Sequence, residues 1–151
     1  MGAMAVAVDK TGENVVPKIV LMLKELIHRG ADAHGVATPN LARVTKTIEE
    51  IPIENISSSV ALGHNLSSVV SKDHPQPVLG DDFALVFEGR LFLSSNMSEV
   101  DQVLKRLDGN LWKNAEDILT KLDGSYVFAI AQSKKAIVGR DSLGVNPLYY
   151  G

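Results

Sequence analysis

Apolar residues first gather at Met4–Val8, a short continuous run that predicts a buried strand, broken by Asp9-Lys10-Thr11-Gly12. Pro17 suits a first helical position. Ile19–Ile27 is apolar on nearly every turn, which predicts a well-buried helix that stops at Gly30. Gly35–Thr38 and Leu41–Ile48 are expected as strands split by Pro39-Asn40, and Ser57–Ser59 as a loop. Val60–Leu62 and Ser68–Val70 are two further short strand candidates. Val78-Leu79 and Phe83–Phe87 flank Gly80-Asp81-Asp82 and predict a hairpin.

The period then changes. Val100, Val103, Leu104 and Leu107 fall at i, i+3, i+4, i+7, and Ala115, Ile118, Leu119 and Leu122 repeat the spacing. Two amphipathic helices are expected, separated by Asp108-Gly109-Asn110, with Trp112 as a packing residue beside the second. Ser125–Gln132 and Ala136–Arg140 predict a second hairpin through Ser133-Lys134, and Pro147–Tyr150 begins one more extended segment. Strands and helices are grouped rather than alternating, which favours an α+β fold with mostly antiparallel pairing, in one domain spanning residues 1–151.

The composition narrows the function classes. The chain has 151 residues, is 45% hydrophobic and 22% charged, and carries a net charge of −3. Disorder, a basic nucleic-acid footprint and a polybasic membrane patch are thereby disfavoured. The longest apolar stretches, Met1–Val8 and Ile19–Leu23, are far short of the roughly 20 residues that cross a bilayer. No cysteine is present, which removes disulfides, thiolate zinc sites and any thiol nucleophile. Dinucleotide, phosphate-loop, metalloprotease and nucleophile-elbow motifs are absent. His28, Asp32 and His34 straddle a helix end and are read as loop structure. His64 and His74 are read as hydrogen-bonded structural residues. No metal or cofactor is expected.

Six separated segments share another pattern. His28-Arg29-Gly30-Ala31-Asp32-Ala33-His34-Gly35 resembles the H-R-G-P-D-x-x-G segment of class II glutamine amidotransferases, and Gly63-His64-Asn65-Leu66-Ser67 resembles their G-H-R-R-L-S strand. Gln76-Pro77 matches their Q-P, and Phe87-Glu88-Gly89-Arg90 stands in the place of F-N-G-E. Leu122–Ala129 looks like L-x-G-x-F-A-F-A, and Gly139–Tyr150 looks like A-R-D-P-L-G-x-K-P-L-Y-Y. The order fits over nearly the whole chain, and the ending is most similar to the glutaminase domain of asparagine synthetases.

The resemblance implies a four-layer αββα sandwich of the N-terminal-nucleophile hydrolase type, with its last strands beyond residue 151. It also implies a glutamine-hydrolysing reaction whose ammonia passes to a synthetase domain in asparagine biosynthesis. An N-terminal cysteine attacks the amide there, an Asn and the next Gly N–H form the oxyanion hole, and an Arg, a Glu and an Asp hold the glutamine. This chain departs at each place. The nucleophile slot falls on Gly2, or on Ala5 if Gly2-Ala3-Met4 are appended residues. Glu88 takes the Asn slot and Gly89 keeps the backbone donor. Asn65 and Leu66 stand where the carboxylate-clamping Arg belongs, Arg90 replaces the Glu, and Met97 replaces the Asp. Arg29, Asp32, Arg140 and Asp141 are read as structural.

The expectation is a glutaminase-like domain that does not hydrolyse glutamine, a pseudoenzyme. The alternatives are an active glutaminase whose cysteine has been replaced in this chain, and a purely structural or interaction module. The expected partners are a synthetase-type domain or subunit, a small amino-acid ligand and further copies of the chain, with neither nucleic acid nor membrane. A cytoplasmic setting follows from the family type and the lack of a signal segment.

Overall fold

A computed structural model of the chain describes residues 2–92, 95–107, 115–117 and 119–151. The expected break at Asp108-Gly109-Asn110, the packing of Trp112 and the place of Ile118 lie outside the described residues.

The elements in chain order are β1 (Ala3–Val8), α1 (Val16–Glu25), β2 (Ala33–Thr38), β3 (Leu41–Thr45), β4 (Val60–Leu66), β5 (Val78–Leu79), β6 (Ala84–Leu91), α2 (Glu99–Leu107), β7 (Gly124–Gln132) and β8 (Lys135–Arg140). One sheet has the order β1-β4-β2-β3 and the other β5-β6-β7-β8, and every pairing is antiparallel.

Alternation along the strands builds the layers, because successive side chains point to opposite faces. On the outer face of the first sheet, Ala5, Val36 and Ala61 pack against Val16, Ile19, Val20 and Leu23 of α1. On its inner face, Ala37, Val60 and Leu62 meet Ala84, Val86, Ala129 and Ala131 of the second sheet. The outer face of that sheet carries Leu85, Phe87, Tyr126, Phe128 and Ile130, which pack against Val100, Val103 and Leu107 of α2. The result is the αββα order of layers. The inter-sheet layer is rich in alanine, whereas the helix–sheet layers bury Leu and Ile side chains, joined by Phe in the α2 layer, worth roughly 1.5–3 kcal/mol apiece.

Several expectations change. β4 is a single strand from Val60 to Leu66, not a short one ending at Leu62. Its polar Gly63-His64-Asn65 stretch disguised it, yet all seven residues are buried between β1 and β2. Ser68–Val70 is not a strand: the N–H groups of Val69 and Val70 donate to Asp73 Oδ2 at 2.8 and 3.0 Å, which closes a turn. The segment after Leu41 stops at Thr45 and passes into a 3-10 turn over Ile48–Glu50, closed by a Thr47/Glu50 capping box. β6 runs four residues past Phe87. Pro147–Tyr150 forms no regular element, and Tyr149 and Tyr150 are exposed. Among the described residues, no helix is long and apolar enough to cross a membrane.

Candidate functional site

β4 carries Val60, Leu62 and His64 on its inner face, and β6 carries Ala84, Val86 and Glu88 on its own. His64 and Glu88 therefore meet where the alanine-rich layer ends. His64 Nε2 lies 2.8 Å from Glu88 Oε2, and the Gly2 N–H donates to Glu88 Oε1 at 2.8 Å. One carboxylate thus ties the start of the first sheet to the middle of the second. His64 is fully buried and the Glu88 side chain is 13% exposed. Burial pushes the Glu88 carboxyl up, but the His64 hydrogen bond and charge and the Gly2 N–H outweigh it, so its pKa is lowered. Facing a carboxylate that can only accept, His64 Nε2 is the donor of this pair. Nδ1 has no hydrogen-bond partner among the described residues.

Gly2 leaves no room for a side chain. A Cβ there would stand 2.0 Å from the Asn65 carbonyl oxygen and 3.0 Å from Glu88 Oε2. Ala5, the other register for the nucleophile slot, lies in mid-strand opposite Gly63, with its side chain in the layer against α1. The structure brings Gly2, Glu88 and Gly89 together and keeps Ala5 apart from them. At Gly89 the backbone takes φ +139°, a region that L side chains rarely adopt.

Beyond Gly89, Glu88 and Arg90 line a small cleft beneath the segment 67–77. Arg90 Nη2 donates to Asp73 Oδ2 at 2.9 Å, and Nη1 lies 3.6 Å from Glu99 Oε2. Lys72 Nζ lies 2.9 Å from Glu99 Oε1. Desolvation pulls the Arg90 guanidinium down, but Asp73 and then Glu99 outweigh it and its pKa is raised. Burial pushes the Asp73 carboxyl up, yet Arg90 and the Val69 and Val70 N–H groups outweigh it, so its pKa is lowered. The cleft retains about 20 Å³ of free space, room for about one water. A glutamine does not fit into it as it stands.

Other candidates are placed elsewhere. Asn65 points away from the cleft: its Nδ2 donates to the Leu23 carbonyl at 2.8 Å and its Oδ1 lies 2.7 Å from His34 Nδ1. It thereby satisfies a carbonyl in the last turn of α1. Leu66 lines the cleft wall, where an apolar side chain cannot hold a carboxylate. Met97 is 41% exposed and does not line the cleft; Glu99, two residues on, does. Asp32 Oδ2 accepts the Ser68 N–H at 2.8 Å and anchors the start of the 67–77 segment. Asp141 accepts from the N–H groups of Tyr126, Leu143 and Gly144 at 3.0, 2.9 and 2.9 Å. Burial raises its carboxyl, but those donors outweigh it and the pKa is lowered. The Arg140 guanidinium packs over Gly144. Arg29 is exposed beside a groove of about 640 Å³ that also touches Gly2, Glu88, Val138 and Tyr149. Glu88 therefore borders both the cleft and the groove.

Lys72 and Asp73 stand in none of the sequence motifs, and His74 reads there as isolated. His74 Nε2 lies 2.9 Å from Ser98 Oγ and 2.8 Å from Asp101 Oδ2. Ser98 and Asp101 form the S-x-x-D start of α2, a signal visible in the sequence. The Lys72–Glu99 and Asp73–Arg90 pairs had none, because they join a loop to a helix and to a strand far along the chain. His28 is exposed and His34 is buried on Asn65. No group that could hold a metal occurs among the described residues.

The layer order and antiparallel sheets define an α+β sandwich of the N-terminal-nucleophile hydrolase type. The same fold occurs in the glutamine phosphoribosylpyrophosphate amidotransferase of B. subtilis complexed with ADP and GMP, with TM-score 0.74, 18% identity, and coverage of 93% of this chain and 37% of that one. A structure of the allosteric regulatory enzyme of purine biosynthesis matches with TM-score 0.71, 18% identity, and coverage of 96% and 38%. The glutamine amidotransferase domain family matches residues 64–151, and the chain belongs to that family. A Methanocaldococcus jannaschii protein whose name assigns it as a glutamine-hydrolyzing asparagine synthetase is 31% identical over 144 residues, 85% of this chain. The chain spans 26% of that protein's length.

Proposed function

We infer that this chain is a single glutamine amidotransferase-type domain, related to the glutaminase domain of asparagine synthetases, that does not hydrolyse glutamine. The observation that carries the reading is the Glu88 carboxylate, held by the Gly2 N–H and His64 in the place of an oxyanion-hole donor. Hydrolysis of an amide builds negative charge on the carbonyl oxygen. A preorganised donor lowers that barrier, and losing one costs about 100–1,000-fold in turnover. An ionised carboxylate in the same place repels the charge. Position 2 offers no nucleophile, and a Cβ there meets backbone. The cleft beyond it is filled by this chain's own ion pairs.

The domain then serves a synthetase-type domain or subunit as a non-hydrolysing module. The length of the synthetase-named relative, of which this chain matches 26%, supports that partner class.

Glutamate and ammonia release from glutamine tests the reading. The chain itself, Gly2→Cys and Ala5→Cys, the last two behind a cleavable start, are expected to give no release above the buffer rate. Gly2→Cys combined with Glu88→Asn controls for a variant that fails only through repulsion at position 88. Enzyme-like turnover by the chain or by either single cysteine variant would sink the reading and mark the domain as an ordinary glutaminase.

A further inference from the structure

The segment from Ser67 to Pro77 crosses the cleft and is fastened at three places by side chains, two of them ion pairs and the third a histidine hydrogen bond. Lys72 reaches Glu99 of α2 at 2.9 Å, Asp73 reaches Arg90 of β6 at 2.9 Å, and His74 reaches Asp101 of α2 at 2.8 Å. Its ends are tied differently. The Ser68 N–H donates to Asp32, and the Gln76 side chain exchanges two hydrogen bonds with the Phe87 backbone, at 2.9 and 2.7 Å. The ends are therefore pinned by hydrogen bonds to backbone groups, while the middle is held by two ion pairs and the His74–Asp101 hydrogen bond.

Those ions have a common point. Arg90 is 38% exposed at its side chain and faces two carboxylates, Asp73 and Glu99. Asp73 also accepts the N–H groups of Val69 and Val70. One oxygen, Oδ2, therefore both folds the turn of the segment and fills the guanidinium. A guanidinium is the side chain best shaped to take a carboxylate. Here the carboxylate it holds is internal.

We propose that residues 67–77 form an autoinhibitory strap, in which Asp73 occupies Arg90 as a stand-in for a small carboxylate ligand that opens the cleft by displacing it. The incoming anion takes Arg90, and Asp73 swings out with the turn it organises. The middle of the strap then lifts while Asp32 and Gln76 hold its ends. The Asp73 side chain is 9% exposed but the Arg90 guanidinium is 38% exposed, so an incoming carboxylate can reach Arg90 and replace Asp73 like for like without leaving the guanidinium unpaired. Salt alone loosens the strap only in part, because the carboxylate ends of its ion pairs are buried and little screened.

Hydrogen exchange at the Val69, Val70 and Asp73 amides tests this, with sodium glutarate as the probe and sodium chloride at equal ionic strength as its control. Glutarate is expected to speed exchange at these amides more than chloride does, with the amides of β4 unchanged. Asp73→Asn keeps an oxygen for the two N–H groups but loses the charge on Arg90. It is expected to exchange roughly three- to tenfold faster at the strap, the scale of losing the charge on one bond to a partly exposed guanidinium, and to respond at lower glutarate. Arg90→Gln is expected to loosen the strap and abolish the difference between the two salts. Equal action of glutarate and chloride on the unaltered chain overturns the proposal, as does a glutarate response that survives Arg90→Gln. Acceleration spread evenly over β4 overturns it too. Glutamine turnover is a separate readout, so a working glutaminase would contradict the preceding section without touching this one.

Discussion

Glu88 is one residue with two partners on the opposite sheet, and its charge is what those partners hold. Its pKa lies below the ordinary value of 4.5, with burial opposing and His64 and Gly2 prevailing. A depressed folded pKa means the stabilisation is complete above the unfolded value and is lost as pH falls through the folded one. Glu88→Gln is therefore expected to unfold more easily at neutral pH, by about 1–3 kcal/mol, the cost of a buried charge-assisted hydrogen bond. The difference from the unaltered chain shrinks as the pH drops below 4.5. Urea midpoints at neutral and acid pH check this, and a gap that stays constant would show that the charge is not what matters. The sequence exposed Glu88 as a departure. It could not show that Gly2 and His64 would be the groups to grip it, since they lie 86 and 24 residues away.

At the scale of elements, Asn65 joins α1, β2 and β4 through a buried chain of three groups: the Leu23 carbonyl, its own amide and the His34 ring. Asn65→Ala leaves both partners buried without a mate. The expected cost is about 2–3 kcal/mol, read from denaturant midpoints, with faster hydrogen exchange in the last turn of α1. A loss confined to β2 with α1 unchanged would contradict that account. The six-motif resemblance placed Asn65 in a ligand-handling slot. Strand alternation decided otherwise, because residue 65 faces the helix while residue 64 faces the other sheet. The helices α1 and α2 and both hairpins were legible because apolar periodicity and turn residues coincide there. Two misreadings share a cause. Asp73 accepts the N–H groups that Ser68–Val70 would have offered to a strand, and the polar residues of β4 hid the length of a central strand.

For the whole molecule, the distance between the sheets is set by small side chains. Ala37, Ala84, Ala129 and Ala131 are fully buried between them. Ala129→Leu is expected to wedge the sheets apart and cost about 1–3 kcal/mol, as overpacking does. Thermal unfolding checks it, and a neutral result would mean the layer has slack. The four layers followed from the family resemblance rather than from periodicity alone, since alternation gives each strand a buried face without naming the layer it meets.

The position of Glu88 between cleft and groove has a consequence for how the interior connects. Two compartments, one opening under the strap and one along the free edges of β1 and β8, meet at a single side chain. Glu88 is the residue that lines both of them. Its carboxylate is felt on both sides: it helps raise the Arg90 pKa in the cleft and stands in the same lining as Arg29 in the groove, so Glu88→Gln alters both compartments at once.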